Sequence, residues 1–360
     1  MKKLKIGNLT ATLPIVQGGM GVGVSLSGLA SAVARCGAIG VIAAAGIGVL
    51  RGLTTQQSRG LRTEIRLAKA ATDGIVGVNI MVAMSDYAAL AEAAVEEGAD
   101  VVFSGAGLPL DLPKYLKPGS RTRLAPIVSS ARALRLVANR WLSRYRYAPD
   151  AVVVEGPMAG GHLGFKPEQI ADPAYSLEKL VPAVVAEAGR IALQCGKPIP
   201  VIAAGGVYTG RDIDRFFKLG ASGVQMATRF VATHECDASA EFKQAFLDSG
   251  RDDIVIIKSP VGMPGRAIRN GFIDQVSGGE RKPFACPHHC IKTCDAQTSP
   301  YCIALALTNA QRGNLKNGFA FAGANAWRVN ELVSVRELLA ELEAEYDAAT
   351  QPASAEPAIA

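Results

Sequence analysis

The chain is poor in aromatic rings and in histidine. Two tryptophans, four histidines and an aromatic content of 6% over 360 residues leave little with which to stack nucleobases. Long apolar runs are also missing. The best candidate, "AIGVIAAAGIGVL" (38–50), is too short and too glycine-rich to cross a bilayer. The start, "MKKLKIGNLTATLP", is basic, but Gly7, Asn8 and Pro14 break any secretory-type apolar stretch. A cytoplasmic location without a membrane partner is therefore expected. Neither charge sign dominates: 38 Lys and Arg against 32 Asp and Glu leave +6, spread along the chain. The one basic stretch, "RALRLVANRWLSRYRY" (132–147), has the apolar spacing of an amphipathic helix with a solvated face, so no nucleic-acid partner is expected. Seven cysteines in a chain this long do not form a disulfide framework; where they cluster, they suggest metal or redox chemistry.

What is present is a rhythm. Hydrophobic residues make up 49% of the chain, enough for a large core. Eight short apolar runs alternate with helical patterns: 14–20, 38–45, 75–82, 100–107, 124–130, 151–156, 199–206 and 223–230. Helices are expected over 25–37, 86–100, 132–147, 176–196 and 209–221. Ser25 and Thr209 are expected as N-caps, and Gly37, Gly98, Gly196 and Gly220 as C-terminal stops. Glycine-rich or polar chemistry sits at the C-terminal end of nearly every run. An open doubly wound sheet gathers such chemistry at one switch point, whereas a (β/α)8 barrel spreads it around a rim. The expected fold is thus an α/β (β/α)8 TIM barrel. After residue 230 the rhythm breaks. The expected division is a barrel over 1–235 and 330–349, an inserted lid over 236–329 carrying a cysteine cluster, and a disordered tail over 350–360.

Several run ends suit a flat ring with a phosphate tail. Gly205 and Gly206, after the seventh run, let backbone N–H groups approach an anion, and Ala227 and Thr228 after the eighth add donors. Arg229 is read as turning inward to a barrel carboxylate or joining the anion site. "QGGMG" (17–21) offers Gly18, Gly19 and Met20 as a bed for the ring. Asn79 is a buried amide that needs partners, and Ser104–Gly107 is small and polar-edged. No strand–GxGxxG–helix unit with a distant acid is evident, so FMN fits better than a dinucleotide as the bound cofactor. "VVVEGPMAGGHLG" (152–164) places His162 in a bed of glycines, and Gly160, Gly161 and Gly164 would let this loop cross a ring without clash. Glu155 is expected either to orient His162, to hold the cofactor or to form a barrel ion pair. No run end offers the lysine that an aldolase-type barrel would use.

"PIVQGGMG", "GVNIMV", "EGPMAGGHLG", "PVIAAGGVYTGRD" and "VQMATRF" occur in order at five run ends. Together they resemble the nitronate monooxygenase (2-nitropropane dioxygenase) family and its relatives, the flavin-dependent enoyl-acyl-carrier-protein reductases. The resemblance covers roughly residues 10 to 235. It implies a TIM barrel with non-covalent FMN, with Gly19, Met20, Asn79, Gly161, Gly205, Gly206, Ala227 and Thr228 at flavin-contacting positions and His162 as the active-site histidine. Glu155 and Gln225 join them as expected cofactor contacts. Many relatives carry "GTRF" where this chain has "ATRF". The implied activity is FMN-dependent oxidation of alkyl nitronates with O2 to carbonyl compounds and nitrite. The alternative is NAD(P)H-dependent reduction of an enoyl thioester or a quinone. The expected partners are one of these small molecules and O2; an oligomer is compatible with the sequence.

"CPHHCIKTCDAQTSPYC" departs from the better-known pattern. Cys286, Cys290, Cys294 and Cys302, beside His288 and His289, could enclose an iron–sulfur cluster or a zinc ion. Cys36 and Cys195 are read as packing residues. Asn325 and Arg328 are candidate substrate or flavin-edge contacts. Arg266 and Arg269 are read as surface ion-pairing residues, with a phosphate or carboxylate contact as the alternative.

Overall fold

The computed structural model describes residues 1–50, 52, 57–282, 284–286 and 289–351. Among these residues, eight parallel strands form one sheet: Ile15–Gln17, Gly40–Ala43, Val76–Met81, Val101–Gly105, Arg123–Val128, Val152–Glu155, Val201–Ala204 and Gly223–Met226. Each lies inside one of the eight apolar runs or within a residue of it. The last strand pairs with the first, with Gln225 opposite Val16. A parallel bridge between Val16 and Ile39 joins the first strand to the second and closes the barrel. The strands are apolar almost throughout because their outer faces are covered by helices and their inner faces by one another. Leu4, Ile6 and Ala11 plug the barrel's base with Val41, Phe103 and Val153; they come from an N-terminal hairpin, Leu4–Ile6 and Leu9–Ala11, not expected from the sequence.

The expected helices are present as Ser27–Arg35, Tyr87–Glu96, Ala131–Tyr145, Leu177–Cys195 and Gly210–Lys218, and a closing helix, Val335–Thr350, completes the barrel segment at 330–349. A further helix, Gln57–Ala71, lies between the second and third strands, where the reading names none. Thr209 caps its helix in a reciprocal box with Asp212. Ser25 does not cap the first helix. Its Oγ accepts from Met20 N at 2.8 Å, and the Asp237 carboxylate takes Leu26, Gly28 and Leu29 N–H instead. A carboxylate from a distant segment thus replaces the local cap. The four glycine stops all have positive φ. The basic helix carries its arginines outward: Arg135 pairs with Glu187, and Arg140 with Asp111. Among the described residues no helix is long and apolar enough to cross a membrane.

Beyond the eighth strand the chain turns at once into a short helix, Thr228–Val231, so the eighth run is half strand and half helix. The following segment builds a three-stranded antiparallel sheet. Its hairpin, Ile254–Lys258 and Pro264–Ile268, takes Gly161–His162 as the third strand. A second apolar cluster forms around Ile257, Phe272, Tyr301 and Phe319. The closing helix runs to Thr350; residues 352–360, most of the expected tail, lie outside the described residues.

Candidate active site

The C-terminal ends of the barrel strands open into a cavity of about 510 Å³. Gly19, Met20, Asn79, Glu155, Gly161, His162, Gly205, Gly206, Gln225, Ala227 and Thr228 all line it. Residues far apart in the chain therefore share one wall, as barrel geometry requires of strand-end residues. Ser104 does not join them. It is fully buried, shares a hydrogen bond with the Tyr87 hydroxyl and donates to Ile80 O, leaving Gly105, Ala106 and Gly107 on the wall.

Two features fit a flat ligand with polar edges and an anionic tail. First, the side chains of Asn79, Glu155 and Gln225 face the cavity and make no hydrogen bond among the described residues. All three are half-buried, and polar groups withdrawn this far from solvent are normally paired, so three without a partner around one cavity point to a ligand that completes them. Second, the N–H groups of Gly206 and Ala227 donate to no acceptor among the described residues. These lie on the two loops that commonly bind phosphate in such barrels. FMN, the cofactor of the resembled family, matches this donor and acceptor set.

His162 is held from the inserted segment. Its strand partner is Gly265, its Nε2 lies 2.7 Å from Ser259 Oγ, and Phe321 stands edge-on at 5.0 Å. Ser259 is buried in the turn of the hairpin, where its N–H donates to Met263 O and its carbonyl accepts from Gly262 N. The sequence reading missed Ser259, which lies 97 residues from His162. The β-branched run "DIVIIK" before a Pro- and Gly-containing turn is the available signal for a hairpin, though not for its third strand. Among the described residues Glu155 forms no hydrogen bond with His162 and no ion pair.

The glycine bed has two distinct causes. A Cβ on Gly160 would fall 2.7 Å from the backbone of Ala322 and Gly323, so the returning segment requires glycine there. Gly161 has φ +74 and no protein atom within 4 Å of its would-be Cβ; it serves the left-handed turn and leaves the cavity open.

His162 and Glu155 border the cavity and are both half-buried. Burial lowers the His162 imidazole to about 4, so it is neutral at pH 7. Burial raises the Glu155 carboxyl to about 7. Apart from these, Cys290 is the one titratable side chain on the described wall; no lysine, arginine or aspartate of the described residues reaches it. The outer wall comes from the insertion: Val261, Met263, Ile291, Ile303, Leu307 and Phe321.

The arginine readings need correction. Arg266 is buried and donates from one guanidinium nitrogen to Pro157 O and Ala159 O, both at 2.6 Å. It pins the loop before His162 and is not a surface ion pair. Arg269 does form one, with Asp274 at 2.8 Å. Arg229 turns away from the barrel interior to Glu341 on the closing helix. Arg328 stacks over Tyr208 at 4.2 Å, away from the cavity, while Asn325 Nδ2 donates to Gly206 O and braces the seventh-strand loop. Cys286, Cys290, Cys294 and Cys302 gather at the cavity's outer edge, all as free thiols. His288 lies outside the described residues.

Comparison with known proteins agrees with this architecture. A family model described as nitronate monooxygenase matches residues 2–345. A curated relative from Mycobacterium tuberculosis, named (3aS,4S,5R,7aS)-5-hydroxy-7a-methyl-1-oxo-octahydro-1H-indene-4-carboxyl-CoA dehydrogenase, is 31% identical over 74% of this chain and 66% of its own length. A probable nitronate monooxygenase from Staphylococcus aureus is 38% identical over 36% of this chain and 34% of its own. The match thus spans less than two thirds of these relatives' lengths. FabK from Thermotoga maritima superposes with a TM-score of 0.73 at 28% identity, over 93% of each chain. Nitroalkane oxidase from Streptomyces ansochromogenes gives 0.72 at 24% identity, over 94% of this chain and 96% of that one, and speaks to the fold alone.

Proposed function

The chain belongs to the nitronate monooxygenase family, and from that premise we propose that it is an FMN-dependent oxidoreductase acting on a thioester whose acyl group is uncharged and largely apolar. FMN, when bound, supplies hydride chemistry, with NAD(P)H as the external redox partner. Gly206 and Ala227 N–H and the Thr228 hydroxyl hold its phosphate. Asn79, Glu155 and Gln225 hydrogen-bond its polar parts. His162, neutral and fixed by Ser259, meets the substrate. If Ser259 donates to Nε2, the proton stays on Nδ1, which can then donate to the thioester carbonyl oxygen. The apolar residues of the insertion exclude water from that contact.

One observation carries the choice of substrate: the described wall offers no cation. A nitronate is an anion, and burying it without a counter-charge is costly. A conjugated carbonyl compound needs only a hydrogen-bond donor. The M. tuberculosis relative, named for a carboxyl-CoA substrate, and the likeness to FabK support the same reading. Nitronate oxidation is the second reading, favoured by the staphylococcal relative. A steady-state panel separates them. NAD(P)H oxidation that depends on a bulky enoyl-CoA supports the proposal. Oxygen uptake with propyl-2-nitronate, without NAD(P)H turnover on any thioester, would replace it with the second reading.

A further inference from the structure

The four clustered cysteines take no part in the chemistry above, yet the fold assembles them. Ile291 and Ile303, the chain neighbours of Cys290 and Cys302, share one apolar cluster with Cys294, and both line the cavity together with Cys290. No pair is joined as a disulfide. The backbone that carries them is tied to the barrel. Ser85 N donates to Cys290 O at 3.2 Å, Lys292 N donates to Ala83 O at 2.9 Å, and Met84 bridges Ile291. Cys302 sits at the start of the helix Ile303–Gln311. Cys294 packs into the apolar cluster around Phe272 and Tyr301. Cys290 lines the main cavity.

We propose that Cys286, Cys290, Cys294 and Cys302 ligate a [4Fe-4S] cluster at the outer edge of the active-site cavity. Four soft thiolate donors converging from one segment, in a largely apolar setting, form the donor set for such a cluster or for zinc. The arrangement separates the two. Zinc draws its sulfurs to about 2.3 Å from a single point. Among the described residues no three His, Cys, Asp or Glu side chains surround such a point. Thiolates bound to the four irons of a cubane cluster stand wider apart. The cluster would also fasten the inserted segment to the loop at 83–85 beside the cavity. The assignment is independent of the proposed substrate.

The test is metal and sulfide analysis of the full chain purified without oxygen. The expected result is about four iron and four acid-labile sulfide per chain, with a broad absorbance beneath the flavin bands that dithionite bleaches. Zinc at one per chain, or a folded chain without metal, would overturn the proposal. Cys286→Ala, at a residue off the cavity wall, should lose the iron and sulfide while retaining bound flavin. Cys36→Ala should retain both. Full iron in Cys286→Ala would also overturn the ligand assignment. Should that variant not fold, the wild-type iron and sulfide content decides alone.

Discussion

Replacing Ser259 with alanine removes a single oxygen from the support of His162. Ser259 is 2% exposed, and its Oγ lies 2.7 Å from the imidazole Nε2. A buried hydrogen bond is worth about 1 kcal/mol net, and orphaning one partner costs about 1–3 kcal/mol. The imidazole borders the cavity, where water can take over part of the bond, so the lower end applies. If that energy of about 1 kcal/mol holds the ring in its working orientation, kcat/KM falls about five-fold, since about 1.4 kcal/mol is a factor of ten. The pH profile moves as well. In the wild type the imidazole stays neutral down to about pH 4 because burial lowers its pKa. Loss of the hydroxyl admits water and eases that desolvation, so the acidic limb of kcat/KM should rise toward the ordinary histidine value of about 6.5. Steady-state kinetics from pH 4.5 to 8, with thermal melts as the control for folding, give both readouts. His162→Ala should cost about 10²–10⁴-fold. Unchanged kcat/KM and an unmoved acidic limb in Ser259→Ala, beside a severe loss in His162→Ala, would refute the positioning role.

Two further predictions follow from the same wall. Gly161→Ala puts a left-handed φ of +74 on a residue with a Cβ but meets no protein atom. The fold should lose only about 1–2 kcal/mol, whereas FMN affinity, read by flavin fluorescence, should fall by more than ten-fold as the methyl enters the cofactor's space. Glu155 supplies a pH dependence of stability. Its folded pKa of about 7 lies above its unfolded value, so the folded chain holds the proton longer. Stability contributed by this group is complete below about pH 4.5 and is lost as pH rises through about 7. The loss is on the order of 3 kcal/mol in the flavin-free chain, and Glu155→Gln should abolish that part of the slope in urea melts across pH 4.5–8.

The barrel was legible because its determinants are local. Each strand is a short apolar run, and each run ends in glycines or small polar residues that only a rim would gather. The expected cofactor contacts shared one cavity for the same reason: strand ends of a barrel converge whatever their separation along the chain. What stayed hidden depends on pairings between distant segments. Nothing near residue 162 indicates that Gly161–His162 becomes the edge of a sheet built a hundred residues later, and so neither Ser259 nor the buried Arg266 could be read as supports. Asp237 was hidden likewise: "SLSG" holds its own serine caps, yet a carboxylate from beyond the eighth strand captures the helix start.

The central claim is that this cavity, with Asn79, Glu155 and Gln225 unpaired on its wall, is completed by FMN. Titration of FMN into the flavin-free chain, followed by quenching of flavin fluorescence, tests it most directly. The account predicts saturation at one FMN per chain, weakened by Asn79→Ala and by Gly161→Ala. A folded chain that leaves the fluorescence of added FMN unchanged would contradict it.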